Sequence, residues 1–433
     1  MKKTNTGELY QVYLKHPELS KDTRTISEGC IYLALKGESF NGNIFAEEAL
    51  KNGAAYVVID EKEFKKDERY LLVDNVLESL QQLAHHHRKQ LHIPIIAISG
   101  SNGKTTTKEL IAAALSKKYK TLYTLGNYNN HIGVPLTLLR ITKEHEIAII
   151  EMGANHQGEI DFLCQIAEPN YGMLTNIGKA HLEGFGGEEG VRIGKTEMFK
   201  YIAKTNGTLF INLDDTNIKA STPDTKTVTY SIYEVADCSG TLMETHPRLI
   251  GKWAKNSSSG KINSSLYGAY NFHNIMAACT IASHFGVDAT NIDDAINKYE
   301  SDMNRSQIVK TLGADIYLDA YNANPSSMSL SLDNFEKVKA KKKVAILGDM
   351  FELGESAYLE HSAIIEQAKK NTSIHLNIFV GEHFAEHRFE DKKVKFFKTT
   401  EDLKKWFKSN SWVGFTLLLK GSRGMKIETL LQD

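Results

Sequence analysis

Only four cysteines occur in 433 residues, Cys30, Cys164, Cys238 and Cys279, and none forms a C-x-x-C pair. They read as scattered buried thiols of a protein kept in a reducing cytosol, not as a disulfide framework. An excess of charge is missing too. The 52 Lys and Arg against 53 Asp and Glu leave a net charge of −1, so no overall basic field exists to hold nucleic acid or an anionic membrane. No stretch approaches the ~18 apolar residues of a membrane span. The opening MKKTNTGELYQVYLK has two lysines but no apolar core behind them, unlike a signal peptide. Fixed-period repeats and low-complexity tracts are absent as well. What remains is an ordinary globular composition, 41% hydrophobic and 24% charged, with length for two to four domains. The expectation is a cytoplasmic monomer.

Against that background one run stands out: Gly100-Ser101-Asn102-Gly103-Lys104-Thr105-Thr106. The apolar run 93–98 before it reads as a buried parallel strand. The stretch after it, with Leu110, Ile111, Ala114 and Leu115 at helical spacing, reads as a helix. Strand, glycine loop, Lys-Thr and helix are the layout of a phosphate cradle. Glycines let backbone N–H groups turn toward an anion with no Cβ in the way. Lys104 would reach the outer phosphates, and the Thr105 hydroxyl would ligate Mg²⁺. The loop is a shortened G-x-x-G-K-T, because Ile98 fills the slot of the first Walker glycine. A plain turn is the competing reading.

Alternating strand and helix signals predict an α/β protein of three domains. Residues 1–92 form a small α/β unit with strands near 30–35, 56–59 and 71–73 and helices at 44–52 and 76–91. Residues 93–300 hold the cradle and apolar runs at 147–150 and 172–175, both ending in polar residues at the edge where open sheets bind ligands. The polar stretch 212–264 alternates like strands and looks like an insertion; a helix follows at 271–285. Residues 301–433 restart the alternation, with strands near 316–319, 344–347, 378–380, 395–397 and 416–419. Helices fit at 326–338, 356–370, 400–408 and 424–431. His85-His86-His87 falls on a helix, where consecutive side chains diverge, so it reads as solvated surface instead of a metal site.

Several residues at these edges could do chemistry. Glu151 ends its strand beside the cradle, the place for a metal-bound carboxylate. Spacing alone favours a structural role for His181, and Lys195 reads alone as a helix-surface lysine. Asp319 is the polar end of another strand, with Arg305 and Tyr321-Asn322-Ala323-Asn324-Pro325 around it. Lys420-Gly421-Ser422-Arg423 offers a turn, a hydroxyl, helix N–H groups and two cations, enough to hold a carboxylate; a plain turn with solvated cations is the alternative.

In order and nearly from end to end, these segments resemble the Mur ligases, the ATP-dependent amide-forming enzymes of peptidoglycan synthesis. The resemblance rests on the cradle, on Glu151-Met152-Gly153-Ala154 and on Thr175-Asn176-Ile177-Gly178-Lys179-Ala180-His181. It continues through Lys195-Thr196-Glu197, Asn212 to Asp215, His273-Asn274, Asp319 to Met328, Leu347 to Gly354 and Lys420 to Arg423. It implies a nucleotide-sugar domain, a central P-loop ATPase-like domain and a C-terminal Rossmann-like domain. It implies ATP on Gly100, Ser101, Asn102, Gly103, Lys104, Thr105, Thr106 and Asn274, with Arg305 and Asp319 closing over it. Two Mg²⁺ ions would be held, the first by Thr105 and Glu151, the second by His181 and a carbamylated Lys195; Lys104, Lys195, His181 and Glu151 would form the catalytic group. Thr23, Arg24 and Lys36 would hold the uridine diphosphate part of a UDP-muramoyl-tripeptide. Asn322, Asn324, Lys420, Ser422 and Arg423 would take an incoming D-alanyl-D-alanine. Two departures stand out: Asn41-Gly42-Asn43 replaces the usual Asp-Gly-His, and Gly268 lies five residues before His273 where the family has a compact Gly-x-His-Asn. A sibling ligase that adds the third stem residue lacks support, because its Asp-Asn-Pro-Arg is absent. A non-catalytic nucleotide-binding relative is the alternative from another class.

Overall fold

A computed structural model describes residues 2–301 and 305–432. Among the described residues three large β-sheets succeed one another along the chain, besides a two-stranded ribbon of Lys36–Gly37 with Phe40–Asn41. The first has four parallel strands, Leu19–Ser20, Ile31–Leu33, Tyr56–Ile59 and Tyr70–Leu72. Its first helix, Thr6–Lys15, starts where the Asn5 side chain accepts from Glu8 N and the Glu8 carboxylate answers to Asn5 N, a reciprocal cap.

The central sheet has nine strands, with Ile95–Ser99 between Tyr171–Leu174 and Ile147–Glu151. All five residues of the middle strand are buried, as the β-branched run demands of a strand covered on both faces. Register places Glu151 beside Ile98 and Leu174 beside Ser99, so three strand ends meet at one edge. The stretch predicted as an insertion continues this same sheet. Lys226–Ser231 pairs in parallel with Thr208–Asn212. Cys238–Glu244, Leu249–Lys255 and Ser258–Ser264 then add an antiparallel meander. The reason is one-sided burial: Cys238, Leu249, Trp253 and Ile262 turn inward onto Phe272 and Met276 of the helix Ala269–His284. The other face stays polar and wet.

The third sheet runs Gln307–Thr311, Ala314–Asp319, Thr416–Lys420, Lys343–Gly348, Leu376–Val380 and Val394–Phe397, parallel except for its first pair. The helix expected at 424–431 is instead two short 3₁₀ turns, Arg423–Met425 and Ile427–Leu431, parted at Lys426, whose φ of +50° is left-handed. No α-helix N-terminus therefore follows Ser422.

The sheets are joined by packing as well as by chain. One apolar core runs from Leu9 and Tyr13 through Leu80, Leu138 and Ile160 to Tyr317 and Phe335. The helix Val76–Lys89 lies against Gly133–Leu138 and Glu159–Ala167 of the central unit. This corrects the solvated reading of its histidines. His87 is buried, sharing Nδ1 with Tyr10 Oη and Nε2 with Ile141 O at 2.8 Å, while His85 Nε2 turns to Glu168. Next to it, buried Arg88 donates to Ala167 O (2.8 Å), Leu91 O (2.8 Å) and Glu168 O (2.9 Å).

In the third unit, buried His361 fixes the loop after Lys343–Gly348. Its Nδ1 lies 2.7 Å from Ala357 O, which can only accept, so Nδ1 carries the proton and Nε2 accepts from Met350 N at 3.1 Å. Burial pushes its pKa from 6.5 down to about 4.

Two tests follow from this packing. Arg88→Met leaves the buried Ala167 carbonyl and the half-buried Leu91 and Glu168 carbonyls without their donor and should cost about 3 kcal/mol; thermal melting should fall by several degrees while nucleotide affinity in the folded protein is kept. His361 is neutral in the fold and protonates below 6.5 once unfolded, so the unfolded chain binds the extra proton between pH 6.5 and about 4. Stability tied to this residue is complete above that window and declines by about 3 kcal/mol as pH falls across it. Denaturant titrations at stepped pH should show His361→Gln losing less than the parent over the window.

Candidate active site

The loop after Ile95–Ser99 is shaped by two glycines whose backbone angles and close neighbours disfavour any side chain. Gly100 has φ +134°, and a Cβ there would stand 2.1 Å from Thr175 Oγ1. Gly103 has φ +77°, with Asn274 Oδ1 2.9 Å from where its Cβ would be. The neighbouring strand end braces the loop. Asn176 Oδ1 accepts from Asn102 N at 3.0 Å, Thr175 Oγ1 donates to Asn102 O at 2.6 Å, and Ser101 Oγ donates to Gly178 O at 2.9 Å. Sequence reading singled out the segment 175–178 without giving it this task.

Lys104 opens the helix Lys104–Leu115 and curls back, its Nζ 2.8 Å from Gly100 O and 3.3 Å from Ser101 O. Burial pushes its pKa down; Glu151 opposes that shift, and Arg305 adds to it. One residue on, Thr105 Oγ1 lies 3.3 Å from Glu151 Oε1. Asn129 Nδ2 donates to the same oxygen at 2.7 Å, and Thr124 Oγ1 accepts from Glu151 N at 2.9 Å. Asn129 was missed in the sequence; its only signal was an asparagine-rich run, 127–130, after the strand Thr121–Tyr123.

Lys195 is not the surface lysine that its helix position suggested. It is 1% exposed, donates to Ala154 O at 2.9 Å, and lies 4.8 Å from the Phe185 ring centre. Burial, and then the charge of Lys104, push its pKa well below the usual lysine range. His181 takes a left-handed φ of +54° just before the helix Leu182–Phe185, and its Nδ1 pairs with Glu352 of the third unit.

From the third unit, Asp319 Oδ2 accepts from Lys420 Nζ at 2.7 Å and from Ser331 Oγ at 3.0 Å. Lys420 Nζ also reaches Asn322 O at 3.4 Å. Asn324 caps the helix Pro325–Glu336 and donates from Nδ2 to Asn102 Oδ1 at 2.8 Å, tying the third unit to the loop. The Arg305 guanidinium lies 3.4 Å from the Tyr321 ring centre, with Arg423 at 5.2 Å from the same ring. Tyr321 as a platform for two arginines was not foreseen.

A single cleft of about 480 Å³ gathers these groups. Ser101, Asn102, Gly103, Lys104, Thr105 and Thr106 form one wall; Glu151, His181 and Asn274 stand beside them, and Arg305, Asp319, Asn322, Asn324 and Lys420 face them. Other expected residues lie outside it. Lys195 sits behind Ala154, itself part of the wall. Ser422 is buried, its Oγ taken up by Phe351 N at 3.1 Å and Ala323 O at 3.4 Å, so its hydroxyl is committed to the loop and not free for a ligand. Arg423 remains exposed. Thr23, Arg24 and Lys36 belong to the first unit: Arg24 pairs with Asp22, and Lys36 Nζ lies 2.8 Å from Asp60 and 2.7 Å from Glu61. There the departure at Asn43 has a structural use, since its buried amide bonds Asp60 Oδ1 at 2.8 Å and Asp60 N at 3.0 Å.

Comparison with known proteins agrees with this architecture. The Mur ligase family, catalytic domain, matches residues 18–88; the Mur ligase middle domain matches 98–282; and the Mur ligase, glutamate ligase domain, matches 304–423. The chain is 33% identical to the UDP-N-acetylmuramoyl-tripeptide–D-alanyl-D-alanine ligase of Bacillus subtilis, over 99% of this chain and 97% of that one. MurF from Acinetobacter baumannii superposes with a TM-score of 0.86 at 30% identity, covering 95% of this chain and 92% of that one. MurF ligase from Thermotoga maritima in complex with ADP gives 0.84 at 28% identity and 96% of both. With matches to all three domain families and relatives alike over nearly its full length, the chain belongs to the Mur ligase family.

Proposed function

We propose that this chain is an ATP-dependent ligase that joins D-alanyl-D-alanine to the terminal carboxylate of UDP-N-acetylmuramoyl-tripeptide. The observation that carries the proposal is the shared cleft, in which a phosphate loop and the Thr105–Glu151 pair face Arg305, Asp319 and Asn324 of another unit. The reaction so proposed draws on ATP and a UDP-linked substrate, which under this reading sets it in the cytoplasm, with the enzyme acting as a monomer. Among the described residues no helix is long and apolar enough to cross a membrane.

A carboxylate does not yield directly to an amine, since oxide is a hopeless leaving group. Its oxygen must first accept the γ-phosphoryl group of ATP, giving an acyl phosphate and ADP. The loop supplies what this needs. Its glycines leave the phosphate side open, and Lys104, now curled onto Gly100 O, has an ammonium that would swing to the outer phosphates. Thr105 Oγ1 and Glu151 Oε1 form an oxygen pair suited to a hard divalent cation. Mg²⁺ held there would offset the repulsion between carboxylate and triphosphate. Lys195 fits a carbamate, because a buried amine kept neutral is the form that adds to CO₂. The anion so formed would suit a second Mg²⁺, with His181 Nε2 as a partner while Nδ1 holds Glu352.

The amine of the dipeptide then attacks the acyl carbon, a tetrahedral adduct forms, and phosphate departs to leave the amide. Arg423, exposed and stacked with Arg305 on Tyr321, would receive the dipeptide carboxylate, while Arg305, which lines the cleft, would close over the ATP. Lys420 would serve by holding Asp319, which in this reading meets the ribose. Contacts between the units, from Asn324 Nδ2 to Asn102 Oδ1 and from Lys179 N to Ser326 Oγ, hold them together and would help to exclude water that hydrolyses the acyl phosphate.

Phosphate release should require UDP-muramoyl-tripeptide and D-alanyl-D-alanine together; full release with either alone would refute the assignment. Lys104→Ala should lower kcat by about 10²–10³-fold, and excess EDTA should abolish turnover until Mg²⁺ is restored. Normal ligation by the Lys104 variant would remove the loop from the mechanism.

A further inference from the structure

Lys108 is a buried cation that the mechanism above does not use. It lies one turn beyond Lys104 on the same helix and is fully enclosed. Its Nζ has no hydrogen-bond partner, yet it stands 3.7 Å from Glu151 Oε2, 3.7 Å from Glu109 Oε1 and 5.8 Å from the Tyr123 ring centre. Glu109 is otherwise engaged by Tyr299 Oη at 2.7 Å. Glu151 Oε2, like Lys108 Nζ, is buried and makes no hydrogen bond. Two opposite charges thus face each other in the interior with their remaining capacity unfilled.

The two oxygens of Glu151 have different neighbours. Oε1 meets Asn129 at 2.7 Å and Thr105 at 3.3 Å, both on the cleft wall. Oε2 turns inward to Lys108, which is not part of that wall. Separating an ammonium from its partner in a desolvated setting is costly, so the inward oxygen is held there.

We propose that Lys108 is a positioning residue that restricts Glu151 to one oxygen toward the cleft and so sets which divalent cation the site prefers. Mg²⁺ needs near-ideal octahedral geometry at about 2.0–2.1 Å, with single-oxygen ligands; Ca²⁺, at about 2.3–2.6 Å, readily takes both oxygens of a carboxylate. Holding Oε2 back denies the larger ion its chelate and leaves the smaller one its ligand. A lysine serving only as a core counter-ion would affect stability and leave cation preference alone. The inference rests on the reading of Glu151 as the cation's carboxylate.

The test uses the full chain with ADP. Mg²⁺ and Ca²⁺ compete separately against Mn²⁺, with free Mn²⁺ read by electron paramagnetic resonance. The parent should prefer Mg²⁺. In Lys108→Met, checked for folding by circular dichroism, the Mg²⁺-over-Ca²⁺ preference should fall by about 10-fold or more, while Lys108→Arg should keep more of it than Lys108→Met. An unchanged ratio in folded Lys108→Met overturns the inference. Should that variant not fold, a crystal structure of the parent with ADP and Mn²⁺ decides. Glu151 bound through Oε1 alone, with Oε2 on Lys108, supports the inference, and a chelating Glu151 overturns it. A parent that binds ADP with no divalent dependence removes the reading of Glu151 itself, an outcome distinct from an unchanged ratio.

Discussion

The active cleft depends on one close approach of backbone to backbone. At Gly100 the chain leaves its strand so near Thr175 that a single added carbon would stand 2.1 Å from the threonine oxygen. That approach lets the end of Tyr171–Leu174 grip the phosphate loop with Thr175, Asn176 and Gly178. A loop of bare N–H groups has many conformations and would lose entropy on closing around an anion. Clamped from the side, it is set before any ligand arrives, and the register that places Glu151 beside Ile98 sets the carboxylate with it.

The same segment also reaches the third unit. Lys179 N donates to Ser326 Oγ at 2.8 Å, Lys179 Nζ pairs with Glu360, and His181 pairs with Glu352. The residues that brace the loop are therefore continuous with those that dock the domain which completes the cleft. Docking and loop order share a stretch of seven residues, 175–181, so a disturbance of either is felt by the other. On the far side, Arg88 and His87 perform the matching task for the first unit, satisfying carbonyls that the interface would otherwise leave unpaired.

Much of this was legible in the sequence because it follows from local rules. The buried run 95–99, the Gly-Lys-Thr helix start and the strand ends at Glu151 and Asp319 each carry their signal within a few residues. The failures have a common cause in tertiary context. His85-His86-His87 looks solvated until Gly133–Leu138 packs over the helix and buries His87. The stretch 212–264 looks peripheral because only alternate residues are apolar, and nothing local says that Ala269–His284 covers that face. Arg423 and Ser422 look equivalent as ligands, yet Phe351 N, 71 positions away, takes the serine.

Lysine makes the point most sharply. Lys104, Lys108 and Lys195 are chemically identical and all lie near Glu151 or Lys104, yet three surroundings give them three tasks. Lys104 lines the cleft with its Nζ on Gly100 O, from which, under the proposal, it turns to a phosphate. Lys195 is sealed behind Ala154, where burial and then the charge of Lys104 disfavour its protonated form, as the proposed capture of CO₂ requires. Lys108 is sealed too, but it faces a carboxylate at 3.7 Å that repays its desolvation. A helix repeat places Lys108 one turn behind Lys104 and can say no more. What distinguishes the buried lysines is what encloses them, and that comes from elsewhere in the chain: Ala154 and Lys104 for Lys195, the strand-end carboxylate of Glu151 for Lys108.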